Sequence, residues 1–108
     1  MTNDLEPVFN IARRKLNRAI LTALRDGPLR YSKLHHTVSR ASPDAVHART
    51  LTRTLTYLQS EGLVEHRQDS HTADYRLTAA GTELVDLLAE LERWAREHWP
   101  DDDNHNGQ

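Results

Sequence analysis

The chain of 108 residues contains no cysteine. That excludes disulfides, zinc–cysteine sites and thiol redox sensing. Aromatic residues are scarce at 6%, and Phe9, Trp94 and Trp99 lie near the two ends. Long terminal helices carrying such residues often need a partner to cover them. No apolar run approaches membrane-spanning length. The opening stretch Met1-Thr2-Asn3-Asp4-Leu5-Glu6 has neither a basic region nor an apolar core, so no signal peptide is expected there. The expected location is the cytoplasm. Motifs for catalysis are missing as well. No serine sits in a nucleophile elbow or beside a glycine-rich oxyanion motif, and no G-x-x-x-x-G-K loop is present to cradle phosphates. Seven histidines invite a metal site. However, His35 and His36 are adjacent and on a helix would point about 100° apart, and no H-x-x-x-H pair or cysteine partner exists. The chain is expected to be neither an enzyme nor the holder of a metal or cofactor.

What remains is a chain of single-domain size with a strongly polarised charge. Net charge is −2, but residues 1–67 carry +5 and residues 68–108 carry −7. A basic front half suits a polyanion; a solvated surface is the plainer reading. Residues 1–100 read as one domain. The acidic tail, residues 101–108, has no apolar residue to bury and is expected to be disordered.

The first helix is expected to start near Glu6-Pro7 and to run to Asp26-Gly27-Pro28, where Gly27 and Pro28 stop it. Leu29-Arg30 reads as a short strand. A second helix follows from Tyr31 to Val38, with Tyr31, Leu34 and Val38 inward. Ser42 before Pro43 is placed as the cap of a third helix. Within that helix, Thr50, Thr52, Thr54 and Thr56 alternate with Leu51, Arg53 and Leu55, which is also a strand pattern. The helical reading is preferred because Leu51, Leu55 and Leu58 recur at i, i+4 and i+7 and Gly62 follows as a stop. At about 100° per residue the three leucines share one face, and Arg49, Arg53 and Thr56 fall opposite, with Thr50 and Thr52 at the edges. Arginine and threonine bond phosphates and base edges.

Two short strands, residues 63–68 and 73–78, enclose the polar turn Asp69-Ser70-His71-Thr72. Thr78 is placed to cap a last helix. Helix, glycine, strand, turn, strand and capped helix is the order of a winged helix-turn-helix: mainly α, with one small β-hairpin. That module lays its third helix in the DNA major groove. Candidate DNA contacts are Arg49, Thr50, Thr52, Arg53 and Thr56 on that helix. Candidate phosphate contacts are Arg13, Arg14, Lys15 and Arg18 on the first helix, Lys33 on the second, and Arg67 and Arg76 on the hairpin. His66 and His71 read as polar surface or phosphate contacts.

On the last helix Leu84, Leu87, Leu88, Leu91, Trp94 and Trp99 recur at three- and four-residue steps, a stripe that suits another helix. A helix of about 20 residues extends about 30 Å, more than so small a body covers. The first and last helices are therefore expected to form a dimer interface, with Phe9 and Ile20 contributing. A small-molecule pocket lined by Phe9, Ile20, Leu91, Trp94 and Trp99 is the alternative use of the same residues.

Three segments carry a family resemblance: Leu21-Thr22-Ala23-Leu24-Arg25-Asp26-Gly27-Pro28-Leu29-Arg30-Tyr31-Ser32-Lys33-Leu34, then residues 51–64, then Tyr75-Arg76-Leu77-Thr78-Ala79-Ala80-Gly81. In that order they resemble the HxlR-type winged-helix transcriptional regulators, relatives of the MarR and PadR groups, over about residues 16–98. The resemblance implies a homodimer on a near-palindromic operator, with double-stranded DNA and a second copy of the chain as partners, and in some members a small-molecule effector. The chain departs from the pattern in three ways. The stretch between Leu34 and Leu51 is longer than usual, the reactive cysteine of the redox sensors is missing, and so is the tryptophan usual in the first helix. A winged helix that binds protein instead of DNA is the competing reading, since a fold does not settle function. The exposed face of the third helix discriminates between them.

Overall fold

The computed structural model describes residues 4–99; the acidic tail lies outside them. Seven elements follow in chain order: α1 (Leu5–Arg13), α2 (Lys15–Ala23), α3 (Tyr31–Arg40), α4 (Ala48–Ser60), β1 (Val64–Gln68), β2 (Ala73–Leu77) and α5 (Ala79–His98). The hairpin is antiparallel, pairing Val64 with Leu77 and Gln68 with Ala73. Leu29 adds a single bridge at its edge, exchanging two backbone hydrogen bonds with Tyr75 at 3.0 and 2.9 Å. The residue pair read as a short strand therefore forms only that one rung.

The core is aliphatic. Ile20, Leu21 and Leu24 of α2 and its end, Leu34 and Val38 of α3, Leu51, Leu55 and Leu58 of α4, and Val85 and Leu88 of α5 meet in one cluster. The ambiguous threonine-rich segment is thus helix, because only a helical period puts all three leucines inside.

The single first helix of the sequence reading is two. Arg14 is extended, with φ −92° and ψ 125°, and separates α1 from α2. Burial explains the break. Ile11 and Ile20 are nine residues apart and would lie about 180° apart on one continuous helix, yet both are buried. Turning the chain at Arg14 lets both enter the core. The turn strands carbonyls at the end of α1, which must find other donors. Asn17, itself 2% exposed, donates its Nδ2 to the Ile11 carbonyl at 3.1 Å, and the Arg18 guanidinium donates to the Ala12 carbonyl.

The third helix also starts later than expected, at Ala48 with His47 before it. Ser42 caps no helix: its Oγ accepts from the Asp44 amide two residues on, a local turn. Residues 41–47 form an irregular loop.

Gly62 ends α4 with φ +78°, a left-handed conformation that costs other residues energy. Beyond it, the start of α5 is locked to the start of β1. Thr78 Oγ1 donates to the Gly62 carbonyl at 2.6 Å and accepts from the Gly81 amide at 3.0 Å. A Cβ on Gly81 would stand 2.1 Å from the Leu63 carbonyl oxygen. Backbone cannot yield to it cheaply, so Gly81→Ala should destabilise the fold by about 2–3 kcal/mol. Urea unfolding measures this, and an unchanged midpoint would contradict the close packing.

Candidate nucleic-acid interface

With Leu51 and Leu58 fully buried and Leu55 at 1% exposure, α4 has one rotational setting. Arg49, Arg53 and Thr56 then lie on its exposed side, with Ser60 in line after them. The N-terminal end of α4 is fixed by α3: Tyr31 donates its hydroxyl to the Ala48 carbonyl at 3.0 Å and lies 3.3 Å from Thr52 Oγ1. A His35 ring nitrogen stands 2.6 Å from the Val46 carbonyl, and the Tyr31 and His35 rings stack. Two side chains of α3 thus set the angle at which α4 stands away from the body.

The threonines differ in what they offer. Thr54 and Thr56 donate their hydroxyls back to the carbonyls of Thr50 and Thr52, at 2.8 and 3.0 Å, so outward they present acceptor lone pairs and methyl groups. Thr52 is exposed but engaged with Tyr31. Thr50 faces away from Arg49, into a cavity shared with α2 and α3; Lys15 lines the same cavity.

Arg53 lines a cleft with Arg13, Arg14, Asn10, Asn17, Thr54 and Tyr57. The α1–α2 break thereby brings two arginines beside the exposed face of α4, and among the described residues no acidic one lines this cleft. Arg13 also donates to Asn10 Oδ1. Lys33 is exposed on α3 and forms no ion pair among the described residues.

The two hairpin arginines are less free. Arg76 holds Asp74 through three hydrogen bonds of 3.0–3.1 Å, so most of its charge is neutralised on its own strand. Arg67 is exposed and 3.9 Å from Glu65, a loose pairing that water and salt readily exchange. His66 lies exposed, stacked on Tyr75 with ring centroids 4.4 Å apart. The wing turn is organised by Asp69. Its Oδ1 accepts from the amides of His71 and Thr72, both at 2.8 Å, and from the Thr72 hydroxyl at 3.1 Å. One carboxylate does here what glycine does in other tight turns.

The residues expected at a dimer interface divide. Ile20 is fully buried and Leu88 nearly so, and both belong to the core of the protomer. Leu84 is partly buried against that core. Phe9, Leu87, Leu91, Trp94 and Trp99 are exposed, between 45% and 66%. Ile20 therefore cannot line a pocket with Phe9, Leu91, Trp94 and Trp99, because it has no accessible surface. Trp94 is braced by His98, stacked at 4.5 Å, and by Trp99, edge-on at 5.0 Å.

A helix of this setting flanked by a hairpin is the arrangement of a DNA-reading winged helix, and comparison with known proteins agrees. The family model of the HxlR-like helix-turn-helix proteins matches residues 11–103. The chain belongs to that family. It is a transcriptional regulator of the HxlR/MarR type. It is 28% identical over 96 residues to an uncharacterized HTH-type transcriptional regulator of Methanothermobacter thermautotrophicus, covering 86% of this chain and 70% of that one. The reduced form of the transcriptional regulator YodB from B. subtilis is similar in structure, with a TM-score of 0.80, 25% identity, and coverage of 93% of this chain and 96% of that chain. Quinone-bound YodB has a TM-score of 0.75 at 28% identity, covering 90% of this chain and 99% of that chain. In this HxlR-type chain none of the described helices is long and apolar enough to cross a membrane.

Tyr31, His35, Asn17 and Asp69 are the positioning residues that sequence reasoning missed. Asn17 had a signal: it stands three and four residues before Ile20 and Leu21, on the apolar face of its helix. Asp69 yields a measurable consequence. The amides of His71 and then Thr72 hold its carboxyl below the ordinary aspartate range. Because the folded value is depressed, the turn is fully stabilised above the ordinary value and loses that support as pH falls through the folded one. The component of the Thr72 amide shift that follows Asp69 should therefore titrate with a midpoint below the ordinary aspartate value. A midpoint at or above the ordinary value would show that Asp69 does not close the turn.

Proposed function

We propose that the chain works in the cytoplasm as a homodimer that reads a near-palindromic operator, with α4 of each protomer in a major groove and each hairpin against the flanking backbone. The observation that carries this is the exposed row Arg49, Arg53 and Thr56 directly opposite the buried leucines of α4. Arginine reads guanine edges in bidentate fashion, and a threonine methyl suits thymine. The cleft that Arg53 shares with Arg13 and Arg14 supplies phosphate contacts next to the reading face, which steer and position without choosing sequence. Lys33 and Arg67 extend that track. Arg76, bound to Asp74, contributes least.

The dimer is supported by the exposed apolar side of α5, Leu87, Leu91, Trp94 and Trp99, with Phe9 of α1. The radius of gyration is 15.4 Å, against about 13 Å for a compact domain of this size. Helices that project this way, with apolar sides in water, suit a two-fold partner. Isologous pairing of the α5 helices would set two α4 helices one DNA turn apart. Control by a small-molecule effector is part of the same reading, since a similar regulator is seen with a quinone bound. With no cysteine, a thiol adduct is excluded here.

Arg53→Ala should weaken binding to the chain's own promoter region by about 1–3 kcal/mol if the guanidinium reads a base. Unchanged affinity in both Arg49→Ala and Arg53→Ala would contradict groove reading. Leu91→Asp should put an unpaired charge in the interface and release monomers with much weaker DNA binding. Light scattering checks this, and a wild-type monomer at micromolar concentration would overturn the dimer.

A further inference from the structure

Four aromatic rings join the wing to α3 in one unbroken series, and Tyr75 stands inside it. The backbone N–H and C=O of Tyr75 both turn toward Leu29, with hydrogen bonds of 2.9 and 3.0 Å, and so point away from β1. His66 and Tyr75 are therefore a non-hydrogen-bonded cross-strand pair, the kind whose side chains stand closer together. Their rings accordingly stack at 4.4 Å. On its other side the Tyr75 ring lies 6.4 Å from that of Tyr31, and Tyr31 stacks in turn with His35 at 6.1 Å. The far end of the series is the joint of α4: the Tyr31 hydroxyl donates to the Ala48 carbonyl, and the His35 ring meets the Val46 carbonyl. The hairpin needs such a hold. A two-stranded hairpin is marginal by itself in water, and on β1 burial ends at Val64: Glu65 is partly covered, and His66, Arg67 and Gln68 are exposed. Every residue of β2 is partly buried, and Tyr75 is the central one.

We propose that Tyr75 is the positioning residue of the wing. Through His66 on one side and Tyr31 on the other it locks the hairpin and α4 into one frame, so that Arg67 meets the DNA backbone while Arg49 and Arg53 stand in the groove. The DNA half of this rests on the reading of the chain as a DNA-binding winged helix; the common frame in the free chain does not. Two contact elements held in a fixed relation bind as a preorganised pair. A loose hairpin must instead be ordered on the DNA, and its contacts form at a lower effective concentration. The frame is tied twice at the same place. Leu29 holds the Tyr75 backbone, and Tyr31, two residues on and at the start of α3, holds its ring. The ring and not the hydroxyl makes the stacking contacts, so phenylalanine should serve in its place and leucine should not.

Residual dipolar couplings of the full chain and promoter binding across a salt series test this together. In wild type one alignment tensor should fit the amide couplings of α3, α4 and the hairpin. In Tyr75→Leu the hairpin couplings should shrink relative to those of α4, and in Tyr75→Phe they should not. His66→Ala, an exposed change outside the core, should shrink them in the same direction by less, and it carries the test should Tyr75→Leu fail to fold. On promoter DNA, Tyr75→Leu should bind about fivefold or more weakly, with a salt dependence shallower by roughly one per half-site. Arg67→Ala should then cost a smaller factor in that background than in wild type. A wild-type hairpin that needs its own tensor, or a Tyr75→Leu hairpin that stays on the common one, would overturn the lock. Affinity that falls with the salt dependence unchanged would make Tyr75 a stabilising residue only and overturn its part in placing the wing. A wild-type chain with one common frame that fails to bind promoter DNA would support the lock and count against the DNA-reading function instead.

Discussion

Leu51, Leu55 and Leu58 are one side of α4, and their burial decides what the other side of that helix can do. All three sit in the aliphatic cluster with Leu21, Leu24 and Leu34. A rotation of α4 by one residue, about 100°, would bring a leucine into water and a threonine or arginine into the core. Each buried leucine contributes about 1.5–3 kcal/mol, which far exceeds what any exposed arginine gains by turning. The direction of Arg49 and Arg53 is therefore a by-product of hydrophobic packing. Tyr31 and His35 add what packing alone leaves open, the tilt and the starting point of α4.

The polarity of the chain follows the same division. Arg13, Arg14 and Arg53 share a cleft that no acidic residue lines among the described ones. Carboxylates gather on α5, where Glu90 and Glu97 pair with Arg93 and Asp86 pairs with Arg25. These exposed pairs contribute little to stability. Their effect is on the long-range field, which is negative along α5 and positive beside the Arg53 cleft.

Helix periodicity and glycine stops made most of the fold legible before any coordinates. The leucine spacing of α4, the left-handed Gly62, the Thr78 cap and the hairpin limits all follow from local rules. What local rules could not reach were competitions between segments. The break at Arg14 has no proline or glycine to announce it. It exists because Ile11 and Ile20 both gain burial, and Asn17 and Arg18 offset the lost backbone bonds. Ser42-Pro43 carries a good local capping signal, yet α4 begins at Ala48, held there through Tyr31. Ile20 fits a partner-facing stripe by spacing alone, but the break turns it inward. The exposure of Arg49, Arg53 and Thr56 opposite the leucines was recognisable from angle alone. The pairing of Arg76 with Asp74 was not, because it depends on side-chain conformations along one strand.

The central claim is that the side of α4 opposite its buried leucines is what enters DNA, flanked by the wing and the Arg13–Arg14 junction. Amide NMR of the full chain titrated with a duplex from its own promoter region tests it most directly. The account predicts that the largest shifts fall on α4 from Arg49 to Ser60, on the wing turn around Asp69 to Thr72, and at the Arg13–Arg14 junction. Shifts concentrated instead on the C-terminal half of α5, with α4 unmoved, would contradict it.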